Sequence, residues 1–131
     1  MTKKLLLIGG VLNLLLAIFH LFFWKMFEWP QALMGLSLDN RAILQVANIH
    51  LILVLLLFAW ISISFRNDLA ESRLGKTVLV GISGFYGLRC INEILFWDMG
   101  TMESQVIMAV CLLIGAVYLF PLIRQKSSQL A

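Results

Sequence analysis

Charge is scarce in this 131-residue chain: charged side chains make up 13% of it, against 61% hydrophobic. A water-facing domain carries roughly 25% charged residues, so an ordinary soluble surface gives way to a lipid-facing one. Cysteine is scarcer still, with two residues. Cys90 and Cys111 form no CxxC pair, which removes the usual basis for a thiolate zinc site. No CxxCH run offers covalent haem attachment. Basic residues never cluster densely enough for a nucleic-acid surface, and no nucleic-acid partner is expected. Ser83 and the terminal serines lack a base and an orienter, so a serine hydrolase fits poorly.

What the chain does have is four apolar stretches, approximately residues 5–27, 43–65, 77–97 and 103–123. At a helical rise of about 1.5 Å per residue, each can cross a hydrocarbon core about 30 Å thick. The expected fold is an all-α integral membrane protein, a four-transmembrane antiparallel helix bundle forming a single domain over residues 1–131. Short connections make sequential helices antiparallel neighbours. The first stretch has the positive start of a signal peptide. Its apolar run is too long and no small-x-small cleavage pattern follows, so it is expected to remain as the first span.

Orientation follows from the basic residues. Lys3, Lys4, Arg66, Arg73, Lys76, Arg124 and Lys126 flank one side of the four stretches, and only Lys25 and Arg41 the other. Both termini are therefore expected in the cytoplasm, with the first and third loops outside. The setting is a multi-pass protein of the bacterial inner membrane or another cell membrane. The formal charge of +3 largely expresses this bias.

The connections carry their own signals. Asp68 and Glu71 have capping-box spacing and predict a short helical turn between the second and third spans. Gly100 suits a turn between the third and fourth spans, and Thr101 suits the following N-cap. In the first loop Pro30 can start a short interfacial helix, with Trp24, Trp29 and Trp97 as rim anchors. Gly81, Gly84 and Gly87 recur along the third span and predict a side that another helix can approach closely.

Polar residues inside the spans are the candidates for function. Counted from the outer helix ends, His20, His50 and Arg89 lie roughly seven or eight residues deep, about 10 to 12 Å, with Glu93 nearer the surface. Arg89 and Glu93 are four residues apart and share a helix face, so they can pair; Asn92 and Tyr86 lie within three positions of Arg89. Asn13 and His20 repeat on a similar face of the first span. Arg41, Gln45 and Asn48 form a stripe on the second. His50 is turned about 200 degrees from Asn48, so the two cannot both point into one narrow centre. Cys90 and Cys111 fall at similar depths and are expected as two buried thiols.

Three chemistries fit this set. The first is a small-ligand or metal site in the outer half of the bundle, with Glu93, His20, His50 and Arg89 as candidate catalytic residues. Asn48, Tyr86 and Asn92 would contact the ligand, and His20, His50 and Glu93 would hold a divalent metal. Haem between the two histidines is the weaker cofactor expectation. The second is proton, ion or small-solute transport, since intramembrane His, Arg and Glu suit charge transfer. The third is a structural bundle without catalysis that binds membrane lipid, a membrane partner or further copies of itself.

Overall fold

Helices account for nearly all of the chain because its apolar runs leave backbone groups no partner except one another. The computed structural model describes residues 2–127, with side chains described through residue 123. Arg124 and Lys126, counted in the charge argument, lie outside the described side chains. The elements are α1 (Thr2–Leu21), α2 (Phe23–Met26), α3 (Trp29–Ala32), a 3-10 turn (Leu33–Gly35), α4 (Leu38–Ser64), α5 (Arg66–Glu71), α6 (Arg73–Phe96) and α7 (Met102–Ser127). Four of them, α1, α4, α6 and α7, are long and apolar enough to span a membrane.

Capping chemistry moves the helix boundaries away from the edges of the apolar runs. The second long helix starts at Leu38, five residues before its apolar run, because the Ser37 hydroxyl accepts from the Asn40 amide at 3.3 Å. The third starts at Arg73, where the Ser72 hydroxyl accepts from the Gly75 amide at 2.8 Å. The short helix expected from Asp68 and Glu71 forms as α5, but its N-cap is Phe65 and makes no side-chain bond. Ser72, just beyond it, performs the capping. Gly100 and Thr101 act as expected: the Gly100 amide donates to Asp98 Oδ1 at 2.9 Å, and Thr101 Oγ1 accepts from the Ser104 amide at 3.3 Å.

The first apolar run is shorter as a helix than its sequence suggests. Continuous α-helix stops at Leu21, and Glu28 takes a left-handed φ of 47°. That left-handed residue turns the chain, and Trp29 and Pro30 then open α3. Trp29 packs against Trp24, ring centroids 5.3 Å apart, and ties α3 to α2.

The helices pair as two hairpins, α1 with α4 and α6 with α7, joined chiefly where α1 meets α7. Within the first hairpin a Cβ on Gly10 would lie 2.7 Å from Ile63 Cγ1, while Asn48 Nδ2 near the other end donates to the His20 carbonyl at 3.1 Å. Leu6, Ala17, Ile52, Leu55, Leu79, Ile82 and Ile114 form the apolar core. Leu53, Ile94 and Leu113 turn outward, each 58% exposed or more. Faces of this kind call for lipid in place of water.

Gly81, Gly84 and Gly87 face the same way: a Cβ on any of them meets nothing within 4 Å. No helix among the described residues uses that stripe. The close approaches fall instead at Gly9, Gly10 and Gly75.

Candidate functional site

Two buried polar groups occupy different levels of the bundle. The first lies at its middle and joins all four long helices. Asn13, wholly buried on α1, donates through Nδ2 to the Gly9 carbonyl at 2.8 Å and to the Tyr118 hydroxyl on α7 at 2.9 Å. Its Oδ1 accepts from the Tyr86 hydroxyl on α6 at 2.7 Å. Ser62 on α4 bonds the Tyr118 hydroxyl at 2.8 Å. The amide's two N–H groups and its oxygen are all engaged, so this group is a lock with little capacity left for a ligand.

The second group sits at the end of the bundle carrying the first and third connections, called distal here. Glu93 on α6 is wholly buried. Ser104 Oγ on α7 donates to Glu93 Oε1 at 2.6 Å, and Arg89, one turn back on α6, forms an ion pair with Oε2. Arg89 keeps 34% of its side chain exposed and stands 5.9 Å from the centre of the Trp97 ring. A buried carboxylate thus fixes one edge of a guanidinium whose side chain stays partly exposed. This is a binding geometry for an oxyanion or a carbonyl oxygen.

His20 on α1 is near enough to Arg89 to sense its charge. Its Nδ1 lies 2.8 Å from the Leu16 carbonyl, and its ring stacks on Phe23 at 4.4 Å. A carbonyl oxygen can only accept, so Nδ1 carries the proton, and Nε2 of the neutral ring is an acceptor. Asn48 anchors the backbone beneath His20 and is 5% exposed; its buried Oδ1 has no hydrogen-bond partner among the described residues. Gln45, further along the stripe, accepts from Trp24 Nε1 at 3.3 Å.

The candidate residues therefore divide. Arg89 and Glu93 pair, and His20 approaches them from α1. His50 is exposed, its Nδ1 turned back to its own helix at the Val46 carbonyl, 2.8 Å away. Asn92 is partly buried. Tyr86 is committed to Asn13 in the middle network. The proposed ligands His20, His50 and Glu93 are not gathered, and no group of three or more His, Cys, Asp or Glu among the described residues is placed to hold a metal.

Ser62, Ser104 and Tyr118 escaped the sequence reading. For Tyr118 a signal was there: the chain has two tyrosines, both within apolar runs, where a phenol hydroxyl needs a partner. Comparison with family models, with curated proteins and with solved structures finds no match.

Proposed function

We propose that this chain is a multi-pass membrane protein, an antiparallel four-helix bundle with both termini cytoplasmic, that binds a small ligand at its distal end. The ligand presents an anionic or carbonyl oxygen to Arg89. The observation that carries this reading is the Arg89 side chain, one-third exposed and held by a wholly buried Glu93, itself bonded by Ser104. Burying a carboxylate costs several kcal/mol in such surroundings, and pairing offsets much of that cost. The arrangement leaves an oriented cation at the lipid-facing edge of the helices. A lipid phosphodiester and a free small oxyanion share the required chemistry.

Roles follow from position. Arg89 contacts the ligand and Glu93 aims it. Ser104 holds the Glu93 carboxylate. His20 Nε2 accepts a hydrogen bond or a proton from a hydroxyl on the ligand, and Asn48 fixes the backbone that carries it. Trp97, over which Arg89 lies, reports occupancy.

The test is tryptophan fluorescence of the full chain in a phosphate-free maltoside detergent, adding short-chain phosphatidylglycerol in one arm and inorganic phosphate in the other. A spectral change that disappears in Trp97→Phe and in Arg89→Lys supports the reading, and the arm that produces it identifies the source. No change in either arm refutes it.

A second reading has one observation in its favour: Ser104 and Glu93 tie α7 to α6, so the same group stabilises the bundle even without a ligand.

A further inference from the structure

Cys90 on α6 and Cys111 on α7 are 8% and 7% exposed, and both belong to the apolar core. Neither takes part in the middle network or in the Arg89 group. Their relation follows from the register of the two helices. A Cβ built on Gly115 would lie 3.5 Å from Tyr86 Cβ, and Ser83 Oγ donates to the Gly115 carbonyl at 3.2 Å. Further along, Glu93 meets Ser104. As residue numbers rise along α6, those of its partners on α7 fall.

Between these two levels, Cys90 is one turn beyond Tyr86, and Cys111 is one turn before Gly115. One turn returns each side chain to the same helix face. The register therefore turns the two thiols toward each other across the α6–α7 seam, and Cys90 is near enough to act electrostatically on Cys111. The Cβ separation at the adjoining Tyr86–Gly115 level falls within the range of about 3.5–4.5 Å that a disulfide bridges.

We propose that Cys90 and Cys111 are a redox-active dithiol that a lipid-soluble quinone oxidises to a disulfide across the α6–α7 seam. Two S–H bonds break and one S–S bond forms. The two electrons and two protons pass to the quinone, which leaves as the quinol. The class of oxidant follows from the surroundings: both cysteines lie within helices long and apolar enough to span a membrane, a medium into which a lipid-soluble quinone partitions and the charged glutathione disulfide does not. The bridge locks α6 to α7 one turn from Glu93. The proposal goes beyond the ligand reading and does not need Arg89 to bind anything.

The experiment uses the full chain in detergent, reduced, freed of reductant and incubated without air with a short-chain ubiquinone analogue. The protein is then denatured in N-ethylmaleimide and weighed intact, while quinol is followed by absorbance. The expected result is a mass lower by about 2 Da with no maleimide attached, and one quinol formed per chain. Cys90→Ser and Cys111→Ser, checked for native helicity and melting, should each keep one maleimide-reactive thiol and yield no quinol. Cys→Ala replacements serve if a serine variant fails to fold. Two maleimides on the quinone-treated wild type, or a disulfide joining two chains, would overturn the proposal. Arg89→Lys should still form the bridge, so failure of the ligand reading is distinguishable from failure of this one.

Discussion

Asn13 on α1 donates to the Tyr118 hydroxyl on α7 at 2.9 Å, and both side chains are wholly buried. This bond is the strut between the two hairpins, because α1 and α7 supply their main contact. Replacing Tyr118 by Phe leaves one Asn13 N–H and the Ser62 hydroxyl unpaired in an apolar interior. Each stranded group costs about 1–3 kcal/mol, and measured interhelical bonds in membranes fall at the lower end. Tyr118→Phe should lower the melting temperature in detergent by several degrees, and Asn13→Leu, which also strands Tyr86, by more. Equal melting of Tyr118→Phe and wild type would remove the strut from the account.

Two glycine substitutions should behave oppositely. A Cβ on Gly9 would lie 2.7 Å from Tyr118 Cζ, pushing the ring away from Asn13, whereas a Cβ on Gly84 meets nothing within 4 Å. Overpacking of this kind costs about 1–3 kcal/mol. Gly9→Ala should therefore destabilise the detergent-solubilised protein while Gly84→Ala leaves its melting unchanged or slightly raised. Gly75→Ala should be more damaging than Gly9→Ala, since the obstacles there are the Leu69 Cα at 2.5 Å and the Asp68 carbonyl, backbone atoms that cannot swing aside.

The Arg89–Glu93 pair is expected to be strongly non-additive. Arg89→Leu strands a carboxylate that is wholly buried, a loss of about 3–5 kcal/mol. Glu93→Leu strands a guanidinium that is partly exposed, and should cost less. The double replacement removes both charges and should recover most of the loss. A double-mutant cycle in chemical unfolding checks this; additive losses would mean that the pair is not coupled.

One pH effect centres on Glu71 of α5, outside the long apolar helices. Lys3 Nζ stands 2.8 Å from Glu71 Oε1 on α5, and this hydrogen bond, with the charge attraction beside it, lowers the Glu71 carboxyl from its ordinary value of 4.5. A carboxyl lowered in the folded state contributes fully above its unfolded value, and the contribution is lost as pH falls through the folded one. Melting should therefore drop slightly below the ordinary glutamate range, and Lys3→Gln should abolish that part of the drop. Because both side chains are largely exposed, added salt should shrink it too.

Run length and spacing made the four long helices legible, and the four-residue interval made Arg89–Glu93 legible, because both depend only on helical geometry. The 200-degree offset separated Asn48 from His50, but which of them would be buried was not legible: the structure buries Asn48 and leaves His50 exposed. Helix rotation about its own axis was not legible. It decides that Tyr86 turns to Asn13 instead of Arg89, and that Gly81, Gly84 and Gly87 face away from the other helices. Ser104 was missed for a related reason: a single serine gains meaning only when a buried carboxylate on another helix meets it.

The central claim is that Arg89, aimed by Glu93, holds a ligand. Native mass spectrometry of the full chain released from membrane nanodiscs tests it most directly, comparing wild type with Arg89→Lys, which keeps Glu93 neutralised but loses the planar fork. The account predicts a discrete bound species of defined mass on the wild type that is at least tenfold depleted in Arg89→Lys, with both proteins melting at similar temperatures. A wild type carrying no such species, or an Arg89→Lys protein carrying it equally, would contradict the account.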